Sequence, residues 1–280
     1  MNKLLILLFL IISGCDTGKL IVIADLPKTL NEVSGTEITP NTNLIWMLND
    51  SGNKAKIYAV NKKGKIEKEL KINAKNNDWE DLTSDKHGNL YIGDFGNNLN
   101  KRKNLAILKV NNQSLNSSNN VDIERISFSY PNQTKFPPKK KNMHFDCEAF
   151  FHFNDNLYLF TKSRVKDDYG KTSLYKIPAK PGHHIAEFIS SFNSCDKLSC
   201  WITSADISDD EKTIALLSPK SVMIFSNFIA DDFFSGTVDQ YDFSLDSQKE
   251  GVCFKDAKTL FITDEKAHGE GGNLYKFSLN

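Results

Sequence analysis

Short apolar stretches separated by polar turns recur along almost the whole chain. The stretches are rich in β-branched and aromatic residues, and the turns between them contain Gly, Asn, Asp and Lys. No longer segment repeats its apolar positions with the period of about 3.6 residues that an amphipathic helix requires. The pattern therefore predicts an almost all-β protein.

The apolar stretches form a repeated unit that is marked by polar residues at a nearly constant distance. In each unit an acidic residue opens one apolar stretch. The next apolar stretch ends at a second marked position, which is an aspartate in three of the five units. Such a repeat indicates one supersecondary unit that is used several times. The opening acids are Glu32, Glu80, Glu148, Asp206 and Glu250, and the second positions are Asp50, Asp94, Lys162, Pro219 and Asp264.

The units predict a β-propeller with five four-stranded blades. They span about 32–77, 78–130, 144–192, 201–245 and 250–280, with a loop at 131–143. The last unit holds only three strand-like stretches, so we expect the amino-terminal stretch 19–24 to supply its fourth strand and close the ring. Six blades remain an alternative, because the interval between Glu80 and Glu148 is long.

The amino terminus resembles the signal peptide of a bacterial lipoprotein. A short positive start precedes an apolar run at 4–12 that is too short to span a bilayer, and Ile-Ser-Gly-Cys follows at 12–15. We predict cleavage of 1–14, a lipid on Cys15, and a single domain over 15–280 that is anchored in the cell envelope outside the cytoplasm. A plain secretory signal is the alternative, and the choice between inner and outer membrane stays open.

The charge balance, the cysteines and the absence of common catalytic motifs exclude several classes of function. Lys and Arg together number 35, as do Asp and Glu, so no net field favours nucleic acid as a partner. Cys195 and Cys200, five positions apart in a polar loop, predict a disulfide, whereas Cys147 and Cys253 fall in inner strands and are expected to be buried. The nucleophile elbow, the HExxH motif and the P-loop are absent from the sequence.

The repeated acids are predicted to meet at one end of the propeller channel. The first strand of a blade lines the channel and the second runs antiparallel to it, so the first strand starts and the second strand ends at the same end of the channel.

Crowded carboxylates repel one another unless a cation binds, and oxygen ligands suit Ca²⁺. The predicted metal ligands are Glu32, Asp50, Glu80, Asp94, Glu148, Asp206, Glu250 and Asp264. The predicted ligand-binding residues are Asp78, Asp81, Asp146, Lys162 and Arg164. Alternatively, the acids are structural and accept hydrogen bonds from neighbouring backbone.

Three motifs in the first two units resemble a group of uncharacterised secreted bacterial propeller proteins. They are Asn-Asp-Ser-Gly at 49–52, Asp-Trp-Glu-Asp-Leu at 78–82 and Gly-Asp-Phe-Gly-Asn-Asn at 93–98. This group is distantly similar in architecture to the propellers of calcium-dependent phytases, lactonases and esterases. The resemblance implies a propeller with a cation in its central channel.

Three functions follow from these expectations. The first is a lipid-anchored propeller whose acidic, Ca²⁺-binding mouth holds a small molecule, a carbohydrate or a protein. The second is a metal-dependent hydrolase of phosphate or carboxylate esters. The third is a scaffold in a cell-envelope complex. The sequence leaves open whether the protein is an enzyme.

Overall fold

The chain forms a five-bladed β-propeller. The computed structural model describes residues 20–40, 42–116, 120–267 and 269–279, and within them five antiparallel sheets stand in a ring. The predicted fold is therefore confirmed, and the alternative of six blades is wrong for the described residues. The signal segment 1–14, Cys15 and Lys19 lie outside those residues. No described helix is long and apolar enough to span a membrane.

Strands dominate the described residues. In chain order they are β1 (Ile21–Asp25), β2 (Val33–Glu37), β3 (Ile45–Asn49), β4 (Lys56–Val60), β5 (Ile66–Lys71), β6 (Trp79–Ser84), β7 (Leu90–Asp94), β8 (Ala106–Val110), β9 (Glu124–Ser129), β10 (Asp146–Phe153), β11 (Asn156–Lys162), β12 (Lys171–Pro178), β13 (Gly182–Ile185), β14 (Glu187–Asn193), β15 (Ser204–Ile207), β16 (Thr213–Leu217), β17 (Ser221–Ser226), β18 (Thr237–Asp242), β19 (Lys249–Asp256), β20 (Thr259–Asp264) and β21 (Asn273–Ser278). Short 3₁₀ helices span Lys28–Leu30, Asn112–Asn116, Lys140–Asn142, Leu198–Cys200 and Phe233–Ser235.

The last blade is closed by the amino-terminal strand. Blades 1, 2 and 4 consist of β2–β5, β6–β9 and β15–β18, and blade 3 consists of β10, β11, β12 and β14. Blade 5 consists of β19, β20 and β21, and β1 pairs antiparallel with β21. Leu20, Ala24 and Leu26 are buried at this seam. The expected closure is thus confirmed, and it leaves no unpaired edge on β21.

Blade 2 carries a fifth strand that the sequence did not predict. β13 runs parallel to β9 and adds its backbone to the outer edge of that blade. The amide of Ala186 extends the pairing by donating to the carbonyl of Ser129. The pair His183-His184 lies in this strand. An open outer edge offers unpaired backbone groups, and the segment that leaves blade 3 satisfies them.

Hydrophobic clusters fill the spaces between neighbouring blades. One cluster joins blades 1 and 2, and others join blades 2 and 3, 3 and 4, 4 and 5, and 5 and 1. Each cluster lies between the facing sides of two neighbouring sheets. The middle strands of a blade therefore bury side chains on both sides, which explains why they are apolar almost throughout. The inner strands, whose edges face the axis, are left to carry the polar residues.

Four of the five inner strands contain an irregularity close to the channel mouth. The register shifts between β2 and β3, β6 and β7, β10 and β11, and β19 and β20. β15 pairs with β16 without such a shift. A bulge adds one residue to a strand and changes the direction in which the following side chains point. The bulges therefore decide which acids reach the mouth.

Candidate functional site

Acidic side chains from four blades gather at the end of the channel where the inner strands begin. β6, β10 and β19 carry three of them, the segment before β6 carries one, and the loops after β3 and β20 carry the others. We define the acidic mouth as Asp50, Asp78, Glu80, Glu148, Glu250 and Glu265. Glu32 lies on its rim, where Asn53 Nδ2 donates to Glu32 Oε2 over 2.5 Å.

Burial and mutual repulsion raise the pKa of several carboxyls in the acidic mouth. Burial followed by the charges of Glu32 and Asp78 raises the pKa of Asp50 to about 7. Burial raises the pKa of Glu250 to about 8 although Lys162 acts against it. Burial and the charge of Asp50 raise the pKa of Glu265 to about 7. Near neutral pH the mouth therefore binds protons that isolated carboxylates would release.

Glu80 shows the same effect most clearly. Burial, followed by the charges of Glu148 and Asp78, raises its pKa well above the ordinary value. Gly96 makes room for this arrangement, because a Cβ at that position would collide with Glu80 Oε1 and approach Asp78 Oδ2 to 2.7 Å. Glu80 and Asp78 thus pack against bare backbone rather than against a side chain.

The carboxyls of the acidic mouth have few hydrogen-bond donors. Among the described residues, no hydrogen bond reaches the side-chain oxygens of Glu80, Glu250 or Glu265. Asp50 Oδ1 receives one long contact of 3.4 Å from Asn53 Nδ2. The side chains of these three glutamates are partly exposed, so water, a proton or a cation can contact the oxygens that accept no hydrogen bond from the protein.

Glu148 differs because two cations pair with it. Lys162 Nζ lies 2.9 Å from Glu148 Oε2, and Arg164 Nη2 lies 3.2 Å from Glu148 Oε1. Although burial acts in the opposite direction, Lys162 and Arg164 lower the pKa of Glu148. Arg164 Nε also pairs with Asp146 Oδ2 at 2.5 Å, so Asp146 lies behind the mouth and positions the arginine.

Trp201 contacts both cations, which the sequence did not predict. Lys162 Nζ and the guanidinium carbon of Arg164 lie 5.1 and 4.5 Å from the centroid of its indole ring. Trp201 Nε1 donates to the carbonyl of Ser163 over 2.7 Å, which fixes the ring. The residue follows the loop of Cys195 and Cys200, whose sulfurs are bonded with Cα atoms 6.0 Å apart. No local pattern marks a tryptophan in such a loop as part of a channel.

Asp94 and Asp264 were expected beside the channel, but they stabilise the blades from inside. Asp94 accepts hydrogen bonds from Asn77 Nδ2 at 2.7 Å and from Arg102 Nη2 at 2.9 Å. Asp264 accepts from the amide of Asn273 at 2.8 Å and from Tyr275 Oη at 2.7 Å. Both side chains are fully buried, so their oxygens are already satisfied within one blade.

Asp206 was expected in the mouth and lies farther along the channel instead. It pairs with Ala215, four residues before Pro219 on the return strand. At roughly 3.3 Å per residue, this places it about 13 Å from the level of Pro219. Its Oδ2 accepts the amide of Phe254 over 2.6 Å, which links blade 4 to blade 5. Ser204 and Ala205 precede Asp206 on β15, so the one carboxylate of this strand lies away from the mouth.

Asp81 fills the axis below the acidic mouth. Its carboxylate accepts hydrogen bonds from the amides of Leu82, Phe150 and Ala205 and from Ser204 Oγ, at distances of 2.9, 3.3, 3.2 and 3.1 Å. These donors belong to blades 2, 3 and 4. Asp81 is fully buried, as are Thr36, Ser204 and Thr263 beside it. The Asp81 layer therefore joins blades and separates the mouth from the other end of the channel.

The described residues contain no preformed metal centre. Among them, no group of three or more His, Cys, Asp or Glu side chains is arranged to hold a metal ion. The acidic mouth nevertheless has the type of ligand atom that a hard cation prefers, because its carboxylate oxygens have few other partners. Any ion would have to draw these side chains closer together.

In metal-free buffer we expect the melting temperature to fall as the pH rises from about 5 to about 8. The raised pKa values of Asp50, Glu250 and Glu265 mean that the folded protein binds protons more tightly than the unfolded chain. Their contribution to stability is complete below the unfolded pKa of about 4 and is lost as the pH rises through 7 to 8. Scanning calorimetry should show a flatter profile for Glu250→Gln and an unchanged one for Glu187→Gln, whose side chain is 64% exposed. A flat profile for the unmodified protein would contradict the mutual repulsion.

Comparison with solved structures supports the fold alone. A gluconolactonase from Xanthomonas campestris superposes with a TM-score of 0.51 and 10% sequence identity, covering 93% of this chain and 89% of that one. Virginiamycin B lyase from Staphylococcus aureus has a TM-score of 0.43 and 15% identity, covering 91% of this chain and 69% of that one. No family model and no curated protein sequence matches this chain. At such identities a shared propeller says nothing about shared chemistry.

Proposed function

We propose that this protein is a lipid-anchored binding propeller of the cell envelope, and that its acidic mouth binds Ca²⁺ and, through it, a ligand or partner. One observation carries the proposal: Glu80 of blade 2 and Glu250 and Glu265 of blade 5 have raised pKa values and accept no hydrogen bond from the described residues. Burial raises the pKa of Asp81 as well, but Asp81 accepts hydrogen bonds from four donors, as a structural carboxylate does.

The charges in and around the mouth favour a cation over an anion. Six carboxyls form the acidic mouth, and Lys162 and Arg164 are both committed to Glu148 and its neighbour Asp146. Ca²⁺ accepts oxygen ligands in flexible geometry, which suits side chains that must move to meet it. The bound ion would retain open positions for a carboxylate, hydroxyl or phosphate oxygen of a ligand, because not all six carboxyls can approach one point.

The first test is the effect of Ca²⁺ on melting. We expect Ca²⁺ to raise the melting temperature of the unmodified protein, because a ligand that binds only the folded state stabilises it. Glu80→Gln keeps the shape and one oxygen but removes a charge, so the Ca²⁺-induced shift should become markedly smaller. Without metal this variant should be as stable as the parent or slightly more so, since a repulsion is removed. Differential scanning fluorimetry with and without a chelator measures both quantities.

Two controls make that test decisive. Glu187→Gln changes an exposed carboxylate on blade 3 and should leave the Ca²⁺ response unchanged. Mg²⁺ at the same concentration should give a smaller shift, because it demands stricter octahedral geometry. The absence of a Ca²⁺ response in the parent, together with lower stability of Glu80→Gln in chelator, would reject the cation site. That result would leave the scaffold in an envelope complex as the preferred function.

A second candidate function is metal-dependent hydrolysis of a carboxylate or phosphate ester. The Glu148–Lys162 pair lies beside carboxyls that hold protons near neutral pH, so the mouth offers both a base and acids. A Ca²⁺ ion there would polarise the ester oxygen. Assays with glucono-δ-lactone, p-nitrophenyl acetate and p-nitrophenyl phosphate, each with Ca²⁺ or chelator, test this candidate. The absence of Ca²⁺-dependent turnover on all three would favour the binding protein.

The lipid anchor is tested by replacing its cysteine. We expect radiolabelled palmitate to be incorporated into the parent protein and not into Cys15→Ala, because Cys15 follows an apolar run and Ile-Ser-Gly. The variant should leave the membrane fraction while the parent remains in it. Cys147→Ala, which changes a buried cysteine, is the matched control for labelling. Membrane association that persists in Cys15→Ala would refute the anchor.

A further inference from the structure

A second cavity lies at the opposite end of the channel from the acidic mouth. Its volume is about 340 Å³, which is within the range of small-molecule sites. The ends of β2, β10 and β15 and the loop after β6 form its walls. The Asp81 layer separates it from the acidic mouth, so the two sites are independent.

Two buried carboxyls form the deep wall of this cavity. Glu37 and Asp206 are each 6% exposed. Glu37 Oε1 accepts hydrogen bonds from the amide of Ile38 at 3.0 Å and from Ser84 Oγ at 3.1 Å. No donor among the described residues reaches Glu37 Oε2, which belongs to a side chain lining the cavity. Because Glu37 lines the cavity, a ligand inside it can donate a hydrogen bond to this oxygen.

The surrounding charges indicate the nature of that partner. Burial, followed by the charge of Asp206, raises the pKa of Glu37 well above its usual range, as expected for two carboxyls with no cation between them. Two lysines also line the cavity, and each has another contact there: Lys86 Nζ pairs with Glu211 Oε1 at 2.6 Å, and Lys109 Nζ lies 5.7 Å from the ring centroid of Tyr91. Burial likewise raises the pKa of Asp206 to about 7, so without a cation the two carboxyls hold at least one proton near neutral pH.

A hydrogen bond and a ring stack hold the side wall of the cavity together. Tyr91 Oη donates to Asp85 Oδ2 over 3.0 Å, and the ring of His152 stacks on Tyr91 with centroids 5.4 Å apart. Burial lowers the pKa of His152 although Asp85 acts in the opposite direction, so the imidazole adds no positive charge near neutral pH. Ile38, Pro40 and Phe254 add apolar surface to the same cavity.

We propose that this cavity binds a small organic cation, namely a primary amine with a short apolar body. The ammonium group donates to Glu37 Oε2 and lies beside Asp206, and the apolar body packs against Pro40 and Phe254. Buried carboxylates attract an ammonium strongly when its other hydrogens also find acceptors. An anion of the same shape would find no positive partner at these two carboxyls, and a neutral molecule would lose the charge-assisted bond.

Three molecules of one shape test the proposal. Benzylamine is expected to bind the full-length protein in isothermal titration calorimetry and to perturb the NMR signals of Glu37 and Phe254. Benzyl alcohol should bind about tenfold more weakly or worse, and benzoate should not bind. Benzyl alcohol binding as tightly as benzylamine would overturn the proposal, as would the absence of benzylamine binding at millimolar concentration.

Variants locate the site and separate it from the acidic mouth. Glu37→Gln keeps an oxygen for the amide of Ile38 and Ser84, and it should weaken benzylamine about tenfold or more. Asp206→Asn keeps an oxygen for the amide of Phe254 and should also weaken it, so a fold defect in one variant does not end the test. Glu80→Gln should leave benzylamine binding unchanged while it reduces the Ca²⁺ response. Unchanged benzylamine affinity in both Glu37→Gln and Asp206→Asn would refute the assignment.

Discussion

Removing β1 by starting the chain at residue 27 is expected to lower the free energy of unfolding by about 5 kcal/mol or more. The truncation deletes Leu20, Ala24 and Leu26, which are buried between blade 5 and its neighbours. It also breaks the backbone pairing with β21, including the bond from the amide of Leu26 to the carbonyl of Gly272 at 2.7 Å. A loss of this size is a large part of the stability of an ordinary domain.

Urea denaturation of chains that begin at residues 16 and 27 measures this effect. A matched control keeps β1 and replaces Ile21 and Val22, which are 57% and 47% exposed, by alanine. This double variant should unfold within about 0.5 kcal/mol of the parent per site, as surface substitutions usually do. Equal denaturation midpoints for the two truncated chains would show that the ring does not depend on β1.

Asp81→Asn is expected to destabilise the protein by about 3 kcal/mol or more. The four groups that contact the carboxylate of Asp81 all donate hydrogen bonds, and they come from three blades. An amide group would turn two donor hydrogens towards donors in a fully buried place, leaving at least one backbone N–H without an acceptor. The cost is therefore larger than the loss of one ordinary hydrogen bond.

The neighbouring residue supplies the control for Asp81→Asn. Glu80 lies next to Asp81 on β6, and its side chain accepts no hydrogen bond from the described residues. Glu80→Gln also removes one carboxylate charge, so the two variants differ in hydrogen bonding and not in net charge. Thermal unfolding in chelator should show a large loss for Asp81→Asn and none for Glu80→Gln. Equal stability of the two variants would contradict the role of the Asp81 layer.

The fold could be predicted from the sequence because the features that indicate it are local and recur in every unit. The alternation of strand-like stretches and turns, the fixed distance between the polar positions, and the incomplete last unit each follow from residues near one another in the chain. Together they predicted the five blades and the closing strand. The same nearly constant distance between the polar positions predicted that Glu80, Glu148 and Glu250 lie at one end of the channel.

The tertiary structure decided which acids remain without partners. Asp94 and Asp264 occupy the same position in their units as Asp50, but hydrogen-bond donors of their own blades already contact them. Asp206 opens its unit in the sequence as Glu148 does, but its pairing with Ala215 places it farther along the channel, where its charge raises the pKa of Glu37. Glu265, Trp201 and β13 follow no repeat. Hydrogen-bond partners and bulges depend on contacts between distant segments, so the strand pattern predicts where a carboxylate lies and only packing determines what it contacts.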